Sequence, residues 1–336
     1  MSGQEPVDAV VLWVDGSDPE WQKEKAKYSN KNITELSADT CRFREWGTFK
    51  YWFRAIEKNI PWIRKVHLVT CGHVPEFINT KCDKLNFVKH SDFIPIEWLP
   101  TFSSRTIEIN LHRISGLAEH FIYFNDDMYI MNPMHLDDFF HKGLPCYEGL
   151  EGTLSSCKAD GDTYIHSILN CISVINKHFS KYEVLKRHFS KFFNIRYGFD
   201  NFRNLFLLPW NTFSSFPNRH VPMPFLNKFF FQVWDAEPII CEKTSSHRFK
   251  DYSDINQYVF RYWGIASGDF YPRHTDGKAF TMGSDDINTM ICEILSKKRK
   301  MLCINDDYNI ANFEEKRLKI IDALEHVFPE KCSFEK

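Results

Sequence analysis

The chain has 336 residues and a formal net charge of −2, with 43% hydrophobic and 26% charged residues. This is the composition of an ordinary globular protein, long enough for one elaborated domain or two. A charge so close to zero gives no electrostatic reason to expect a nucleic-acid partner. No apolar run reaches the roughly 18 residues of a membrane-spanning helix, and no signal sequence begins the chain. We therefore expect a cytoplasmic protein, whose contact with the inner face of the cell membrane would be peripheral.

The N-terminal part alternates short apolar runs with helical patterns. Its first strand (DAVVLWV) leads into Asp15-Gly16-Ser17-Asp18, which is typical of the loop beside a bound phosphate in nucleotide-binding folds and also of an ordinary turn. The predicted elements, in chain order, are a strand at 8–14, a helix at 43–59, strands at 65–70 and 85–89, a helix at 106–116 and a strand at 121–127.

This order of elements predicts an α/β fold with a doubly wound, mostly parallel sheet. Asp15, Thr70, His90 and Asp126 each end a predicted strand. Because parallel strands present their carboxyl ends at one edge of a sheet, we expect these four polar residues to meet there.

Asn125-Asp126-Asp127 is the most informative of these strand ends. A buried apolar strand (FIYF) stops on two adjacent carboxylates. Such a pair can hold Mg²⁺ or Mn²⁺, and a metal in that place usually neutralises a diphosphate. The alternative is an Asx turn that does no more than lead the chain out of the strand.

The segment 133–217 has a different character. Helices are predicted at 164–179 and 181–193, and many of the 31 phenylalanines lie between positions 189 and 231. Basic and aromatic residues interleave here, which fits either a membrane-surface or acceptor-binding face or an aromatic core with solvated lysines. We favour the core. The chain is thus divided into an α/β part at 1–132, a helical insertion at 133–217 and a C-terminal part at 218–336 that completes the catalytic domain.

The C-terminal part ends in a second copy of the acidic motif. Helices are predicted at 225–235, from 244 through 262, and at 312–328, and a strand at 301–304 runs into Asn305-Asp306-Asp307. The second motif would serve either as further metal ligands or as the N-cap of the last helix.

Four segments resemble the conserved regions of the Stealth family of phosphotransferases. The sequence VLWVDGSD at 11–18 is similar to the first region, and the stretch from Arg42-Phe43 to Asp127 is similar to the second over a long span. His220-Val221-Pro222, with Arg248, resembles the third region, and 303–307 (CINDD) the fourth.

The resemblance implies a Rossmann/GT-A-like nucleotide-sugar fold and a reaction. A sugar-1-phosphate unit would pass from a UDP-sugar to a hydroxyl of an oligosaccharide or lipid-linked saccharide, with release of UMP, in capsular or exopolysaccharide synthesis. The competing enzymatic reading is a conventional metal-dependent glycosyltransferase, which would release UDP.

The resemblance also implies roles for individual residues. Asp126 and Asp127 would hold the metal with Asp306 and Asp307. His220 would act as general base or transient phosphoryl acceptor, and Arg248 and Arg113 would clamp phosphate unless they form helix-surface ion pairs. The residues expected around the nucleotide are Asp15, Gly16, Asp18, Arg42, Arg54, Thr70 and His112.

Overall fold

The computed structural model describes residues 5–29, 43–44, 46–155, 163–307 and 310–336. Arg42, one of the residues expected around the nucleotide, lies outside these ranges. The strands are β1 Val7–Leu12, β2 Val66–Thr70, β3 Leu85–Lys89, β4 His120–Asn125, β5 Met128–Ile130, β6 Phe140–His141, β7 Leu144–Tyr147, β8 Met223–Leu226, β9 Tyr271–Pro272, β10 Gly277–Thr281 and β11 Met301–Asn305.

The α-helices in the same ranges include two long ones, in the middle and at the end of the chain. In chain order they are α1 Pro19–Tyr28, α2 Phe49–Asn59, α3 Ser104–Ile109, α4 Leu136–Phe139, α5 Tyr164–His178, α6 Lys181–Phe192, α7 Asn201–Leu207, α8 Asn227–Ala236, α9 Pro238–Ser246, α10 Tyr258–Ser267, α11 Ile287–Ser296 and α12 Phe313–Val327. Across the described residues, no helix has both the length and the apolarity that crossing a bilayer requires.

The main sheet has the strand order β3-β2-β1-β4-β8. β1 pairs in parallel with β2 and with β4, β2 pairs in parallel with β3, and β8 runs antiparallel to β4. Nearly every residue of β1, β2 and β4 is buried, which explains why these strands are continuous apolar runs and not alternating ones. The predicted α/β class with parallel strands is confirmed.

A second sheet, with the order β10-β11-β5, brings the two acidic motifs together. Asn125-Asp126-Asp127 connects β4 to β5, and β5 pairs antiparallel with β11, so that Met128 lies opposite Cys303. The amide of Ile304 donates to the carbonyl oxygen of Asp127 at 3.0 Å. Two segments almost 180 residues apart in sequence are therefore neighbours through backbone pairing alone.

Three predicted helices differ from those observed. The helix expected at 43–59 begins at Phe49, because Gly47 has a left-handed φ of +71° that a continuous helix does not accept. The helix expected at 106–116 is the shorter α3, followed by a 3₁₀ turn at Leu111–Arg113. In the third case, the span 244–262 is divided between α9 and α10.

The loop between α9 and α10 is held by the buried carboxylate of Asp254. This carboxylate accepts from Nδ1 of His247 at 2.7 Å and from Arg105 at 3.2 Å. Asp251 forms an Asx turn with Ser253, whose amide and hydroxyl both donate to its Oδ1. Local side-chain hydrogen bonds thus replace the helical ones that apolar periodicity predicted.

One hydrophobic core runs through the described residues and draws on all three predicted segments of the chain. Val10 and Phe121 come from the first segment, Ile172 from the second, and Phe260 and Leu324 from the third. The division at 132 and 217 therefore stays a prediction.

Asp8 anchors the start of the main sheet. Its buried carboxylate accepts from Arg64 at 2.8 and 2.6 Å, from Nε2 of His67 at 2.9 Å and from the amide of Ala118 at 2.9 Å. Burial alone would raise the pKa of this carboxyl, but the hydrogen bonds from Arg64, His67 and Ala118 prevail and lower it to about 2.

We expect this carboxylate to make stability depend on acid. The pKa of this carboxyl in the folded protein lies below the unfolded value of 3.8. The stability that it contributes is therefore complete above pH 3.8 and is lost as the pH falls towards 2. The pH-dependent part of the unfolding free energy that Asp8 contributes amounts to about 2 kcal/mol. Urea denaturation of the wild type and of Asp8→Asn, measured from pH 6 downwards, should show a gap in unfolding free energy that narrows with acid. A gap that stays constant would contradict the assignment.

Candidate functional site

A cleft of about 450 Å³ lies at the carboxyl ends of the parallel strands. Its walls come from the loops after β1 (Trp13, Val14), after β2 (Cys71) and after β3 (His90), and both acidic motifs line it. Asn125, Asp126 and Asp127 of the first motif and Asn305 and Asp306 of the second are among its lining residues. The acids predicted at the strand ends therefore line this cleft.

Asp127 is the most buried acid in the cleft. Its Oδ1 has no hydrogen-bond partner within the described ranges, and its carboxylate lies within 4.8 Å of ligand atoms of His220 and Cys303. Burial raises the pKa of Asp127, and the neighbouring His220 opposes that rise. Burial and the adjacent Asp127 likewise raise the pKa of the Cys303 thiol, so that it stays protonated and is a poor metal ligand.

The second acidic motif is split between two environments. The carboxylate of Asp306 lines the cleft and accepts from the indole Nε1 of Trp46 at 3.1 Å and from Arg44 at 3.4 Å. Asp307 is not among the lining residues and packs against Gly283, where an added Cβ would come within 2.1 Å of its Oδ2. Because α12 begins at Phe313 with Asn312 as its N-cap residue, the motif does not cap that helix.

His220 faces Asp127 across the cleft from a strained backbone. Its φ of +48° is left-handed, which is uncommon for a residue with a side chain. The preceding Arg219 holds this segment, since its Nε donates to both oxygens of the buried Glu148 at 3.0 and 2.9 Å. Backbone strain maintained by a buried ion pair is a common feature of functional positions.

Several residues predicted to contact the donor are used elsewhere. Arg248 donates to the carbonyl oxygens of Leu99 and Pro100 at 3.0 and 3.1 Å, so its guanidinium is committed to a loop. Arg113 lies 4.7 Å from the ring centre of Trp234. Neither arginine lines the cleft.

Arg54 and His112 are likewise outside the cleft. Arg54 is buried against the C-terminus, where it donates to both carboxylate oxygens of Glu335 at 2.7 and 2.9 Å. His112 packs among aromatic rings, and burial followed by the charge of Arg113 lowers its pKa to about 3, so the imidazole is neutral. The structure gives both residues packing contacts in place of the nucleotide contacts expected of them.

The cleft obtains its positive charge from Arg44 and Lys250, which the sequence analysis did not select. Arg44 lies in the span predicted as a helix at 43–59, whereas the observed helix begins only at Phe49. Gly47 was the available signal, since a glycine after a polar-aromatic stretch often marks a helix boundary. Lys250 lies in the loop between α9 and α10, two positions after Arg248, where no helix or strand pattern marked it as a cleft residue.

The polar residues of the loop after β1 do not line the cleft. They hold the shape of the loop through hydrogen bonds within it. Oδ1 of Asp15 accepts from the amide and hydroxyl of Ser17 at 2.9 and 2.6 Å, and Asp18 caps α1 by accepting from the amide of Trp21 at 2.7 Å. At Gly16 a Cβ would come within 1.8 Å of the carbonyl oxygen of Phe43, so only glycine fits there. Thr70 is buried, and its hydroxyl accepts from the amide of Gly72 at 2.9 Å.

The donor set of the cleft fits an oxygen-preferring divalent cation. Asp126, Asp127 and Asp306 line one cavity, and a buried carboxylate oxygen of Asp127 is left without a hydrogen bond among the described residues. A bound cation would remove that deficit, and carboxylate oxygens are the ligands that Mg²⁺ and Mn²⁺ prefer.

Two family models match the N-terminal half of the chain. Stealth protein CR1, conserved region 1, matches residues 5–33, and Stealth protein CR2, conserved region 2, matches residues 42–146. The second match contains Asp126, Asp127 and the whole of strands β2, β3 and β4.

Curated relatives match over the full length. The capsular polysaccharide phosphotransferase WcwK of Streptococcus pneumoniae is 40% identical over 100% of both chains. The receptor polysaccharide phosphotransferase WefC of Streptococcus oralis is 38% identical, over 98% of this chain and 99% of that protein. The exopolysaccharide phosphotransferase cps2G of Lactiplantibacillus plantarum is 37% identical, over 100% of this chain and 98% of that protein.

The chain belongs to the Stealth family. The resemblance read from its motifs is confirmed, and so is the predicted enzyme class, a transferase of phosphorus-containing groups. Among solved structures, the apo-form glycosyltransferase GlyE of Streptococcus pneumoniae TIGR4 matches with a TM-score of 0.23 and 13% identity, over 94% of this chain and 78% of that one. A similarity that low carries no argument about this protein.

Proposed function

We propose that this Stealth protein transfers a sugar-1-phosphate from a UDP-sugar to a hydroxyl of a growing or lipid-linked saccharide, releasing UMP, in the synthesis of a capsule or exopolysaccharide. The observation that carries the proposal is the meeting of both acidic motifs with His220 in one cleft at the strand ends. The names of the full-length relatives, all polysaccharide phosphotransferases, support the same reaction class.

The proposed metal ligands are Asp126 and Asp127 of the first acidic motif and Asp306 of the second. Mg²⁺ or Mn²⁺ held there would neutralise the donor diphosphate and the charge that develops on it during transfer. Asp306 would have to exchange its hydrogen bonds from Trp46 and Arg44 for the cation, which would also release Arg44 towards phosphate. Asp307, turned towards Gly283, is not included.

His220 is the proposed base for the acceptor hydroxyl. Histidine is the side chain that most often serves as general base in enzymes, and the ion pair between Arg219 and Glu148 holds the backbone of His220. The adjacent carboxylate of Asp127 would stabilise the imidazolium that forms. Aromatic side chains of Trp13, Trp21 and Phe102 on the far wall offer flat surfaces for the nucleobase.

The finer fold and location belong to the same proposal. The strand order β3-β2-β1-β4 is the arrangement expected of one half of a nucleotide-binding sheet, which supports a doubly wound, Rossmann/GT-A-like architecture. A cytoplasmic enzyme would meet both a nucleotide-sugar and a saccharide presented at the inner membrane face.

The rival reaction breaks a different bond. A conventional glycosyltransferase would use the same acids but would cleave between sugar and phosphate and release UDP. Incubation with a panel of UDP-sugars, an acceptor saccharide and Mg²⁺ or Mn²⁺, followed by chromatography of the nucleotides, separates the two. Acceptor-dependent UMP is expected, and acceptor-dependent UDP without UMP would refute the proposal.

Arg44 and Lys250 should govern the binding of the donor. Replacing either by Ala removes a positive charge from the cleft, and we expect the KM for the nucleotide-sugar to rise by about tenfold or more. Arg113→Ala is the matched control, since that guanidinium packs on Trp234 and should leave KM unchanged. Steady-state kinetics on the three variants decide the matter. A larger effect at Arg113 than at Lys250 would restore the original assignment.

A further inference from the structure

An apolar surface projects from the segment that contains the 3₁₀ turn Ile195–Asp200 and helix α7. Ile195 is 92% exposed, Phe199 89% and Phe206 72%, and Phe202 and Leu205 are also exposed. We call these five residues the phenylalanine face. The ring of Phe202 lies 6.4 Å from that of Phe199 and 6.4 Å from that of Phe206, so the rings form one continuous patch.

Helix α7 differs from an ordinary surface helix, because its phenylalanines are exposed while a polar residue, Asn204, is buried beside Leu207. Asn204 is buried, donates to the carbonyl oxygens of Gly149 and Phe192 at 2.7 and 2.6 Å, and accepts from the amide of Glu151 at 2.6 Å. Rotating the rings inwards would leave these buried groups without partners, at a cost that apolar burial would not recover. The interpretation of this region as an aromatic core is therefore wrong for the phenylalanine face.

A buried ion pair between Lys181 and Glu151 also fixes the orientation of α7. Nζ of Lys181 lies 2.8 Å from Glu151 and donates to the carbonyl oxygen of Leu207 at 2.6 Å, at the end of α7. Both side chains are almost completely buried. The outward direction of the rings is thus built into the fold, and a contiguous exposed apolar patch of this kind marks an interaction surface.

The exposed charged side chains in this part of the sequence indicate which kind of partner binds the phenylalanine face. Between residues 181 and 207 the exposed charged side chains are Lys186, Arg187, Arg196 and Arg203 against a single acid, Glu183. Asp200 is half-buried and turned towards His274, 3.6 Å away. Two copies of this chain meeting through the face would bring like charges together, which disfavours self-association. Aromatic residues among cations are instead the pattern of segments that lie in the headgroup region of anionic membranes.

The face is also connected to the cleft. Asp200, at the end of the 3₁₀ turn, pairs with His274, which contacts the guanidinium of Arg219 at 3.3 Å. Arg219 directly precedes His220, which lines the cleft. The segment that carries the face is therefore linked to the residue preceding His220 by two polar contacts.

We propose that the phenylalanine face docks the protein on the surface of a membrane that contains anionic lipid. The rings insert among the headgroups and upper acyl chains, and Arg196 and Arg203, which lie in the same segment as the rings, bind lipid phosphates. This goes beyond the proposed function, because it depends neither on the donor nor on the bond that is cleaved.

Flotation of the full chain with lipid vesicles tests the proposal. We expect binding to vesicles that contain phosphatidylglycerol, weak binding to pure phosphatidylcholine, and loss of binding at high salt. Phe199→Ser/Phe206→Ser should bind at least about tenfold more weakly. Arg196→Glu/Arg203→Glu should lose the preference for phosphatidylglycerol. The matched control is Ile239→Ser/Leu318→Ser, which removes two exposed apolar side chains from α9 and α12.

Two outcomes would overturn the proposal. One is equal vesicle binding by the wild type and the phenylalanine variant. The other is a dimer of the wild type in sedimentation velocity that the same variant abolishes, with no vesicle binding by either, because that result would assign the face to a second copy. Circular dichroism and thermal melting confirm folding, and unchanged midpoints are expected since the replaced side chains are exposed.

Discussion

Asp127→Asn should reduce phosphotransfer by about a thousandfold or more while leaving the protein as stable as the wild type, or more so. The loss follows because an amide cannot supply the charge that a metal on the donor diphosphate requires. Stability is kept because burial raises the pKa of Asp127, which means that its charged form is unfavourable in the fold. A neutral residue of the same shape removes that cost at pH 7.

Asp307→Asn is the matched control for this prediction. It changes an acid of the second motif in the same way, but Asp307 packs against Gly283 outside the cleft lining. We expect its turnover to stay within a few-fold of the wild type. Turnover, the thermal midpoint and the rise of that midpoint on adding Mg²⁺ should be measured for both variants. Mg²⁺ should stabilise the wild type and Asp307→Asn but not Asp127→Asn. Equal turnover of the two variants would contradict the metal assignment.

Arg54→Ala should have the largest effect on stability and little on catalysis. The guanidinium forms a bidentate pair with Glu335, and the two side chains are only 6% and 4% exposed. Removing it leaves the buried carboxylate of Glu335 without its ion-pair partner and the carbonyl of Phe328 without its donor. We therefore expect the free energy of unfolding to fall by about 3 kcal/mol or more. The KM for the donor should be unchanged, because Arg54 does not line the cleft.

Lys50→Ala, on the same helix, is the control for Arg54. Its Nζ lies 3.7 Å from Glu325 in a partly exposed pair, for which we expect a loss below about 1 kcal/mol. Urea denaturation and donor kinetics on both variants separate the two roles. An Arg54 variant that keeps its unfolding midpoint but loses affinity for the nucleotide-sugar would return this arginine to the nucleotide site.

The sequence was most informative where a buried apolar strand ends at a polar residue. Strands β1, β2 and β4 are apolar runs because both of their faces are buried, and the polar residue that ends such a run is easily found. Asp126 and Asp127 were identified in this way, and the family resemblance then related them to a second motif and to His220. What brings the motifs together is the pairing of β5 with β11, and β5 is only three residues long, which is too short for periodicity to reveal.

The phosphate and nucleotide roles predicted for the long cationic side chains stay predictions, because distant contacts position these side chains. Whether Arg54, Arg113 or Arg248 reaches a ligand depends on carboxylates, rings and carbonyl groups supplied by distant parts of the chain, such as Glu335, Trp234 and Leu99. Local sequence carries no record of those partners. Arg44 and Lys250 were missed for the same reason, since only the positions of α2 and of the loop after α9 turn them into the cleft.

A separate misprediction concerns the phenylalanines of helix α7, which are exposed. A run rich in phenylalanine predicts burial by composition, and only the buried Asn204 with its three hydrogen bonds reveals that the rings face outwards. A single polar residue outweighed several apolar ones because its partners are backbone groups that nothing else satisfies.

The fate of the donor's β-phosphorus tests the central claim most directly. With the UDP-sugar that the panel identifies, radiolabelled at the β-phosphorus, the wild type should place the label on the saccharide acceptor and leave the released UMP unlabelled. Asp127→Asn should transfer no label, and Asp307→Asn should transfer it as the wild type does. Label recovered in UDP, with an unlabelled saccharide product, would show that the bond between sugar and phosphate is the one that breaks, and the proposed reaction would be wrong.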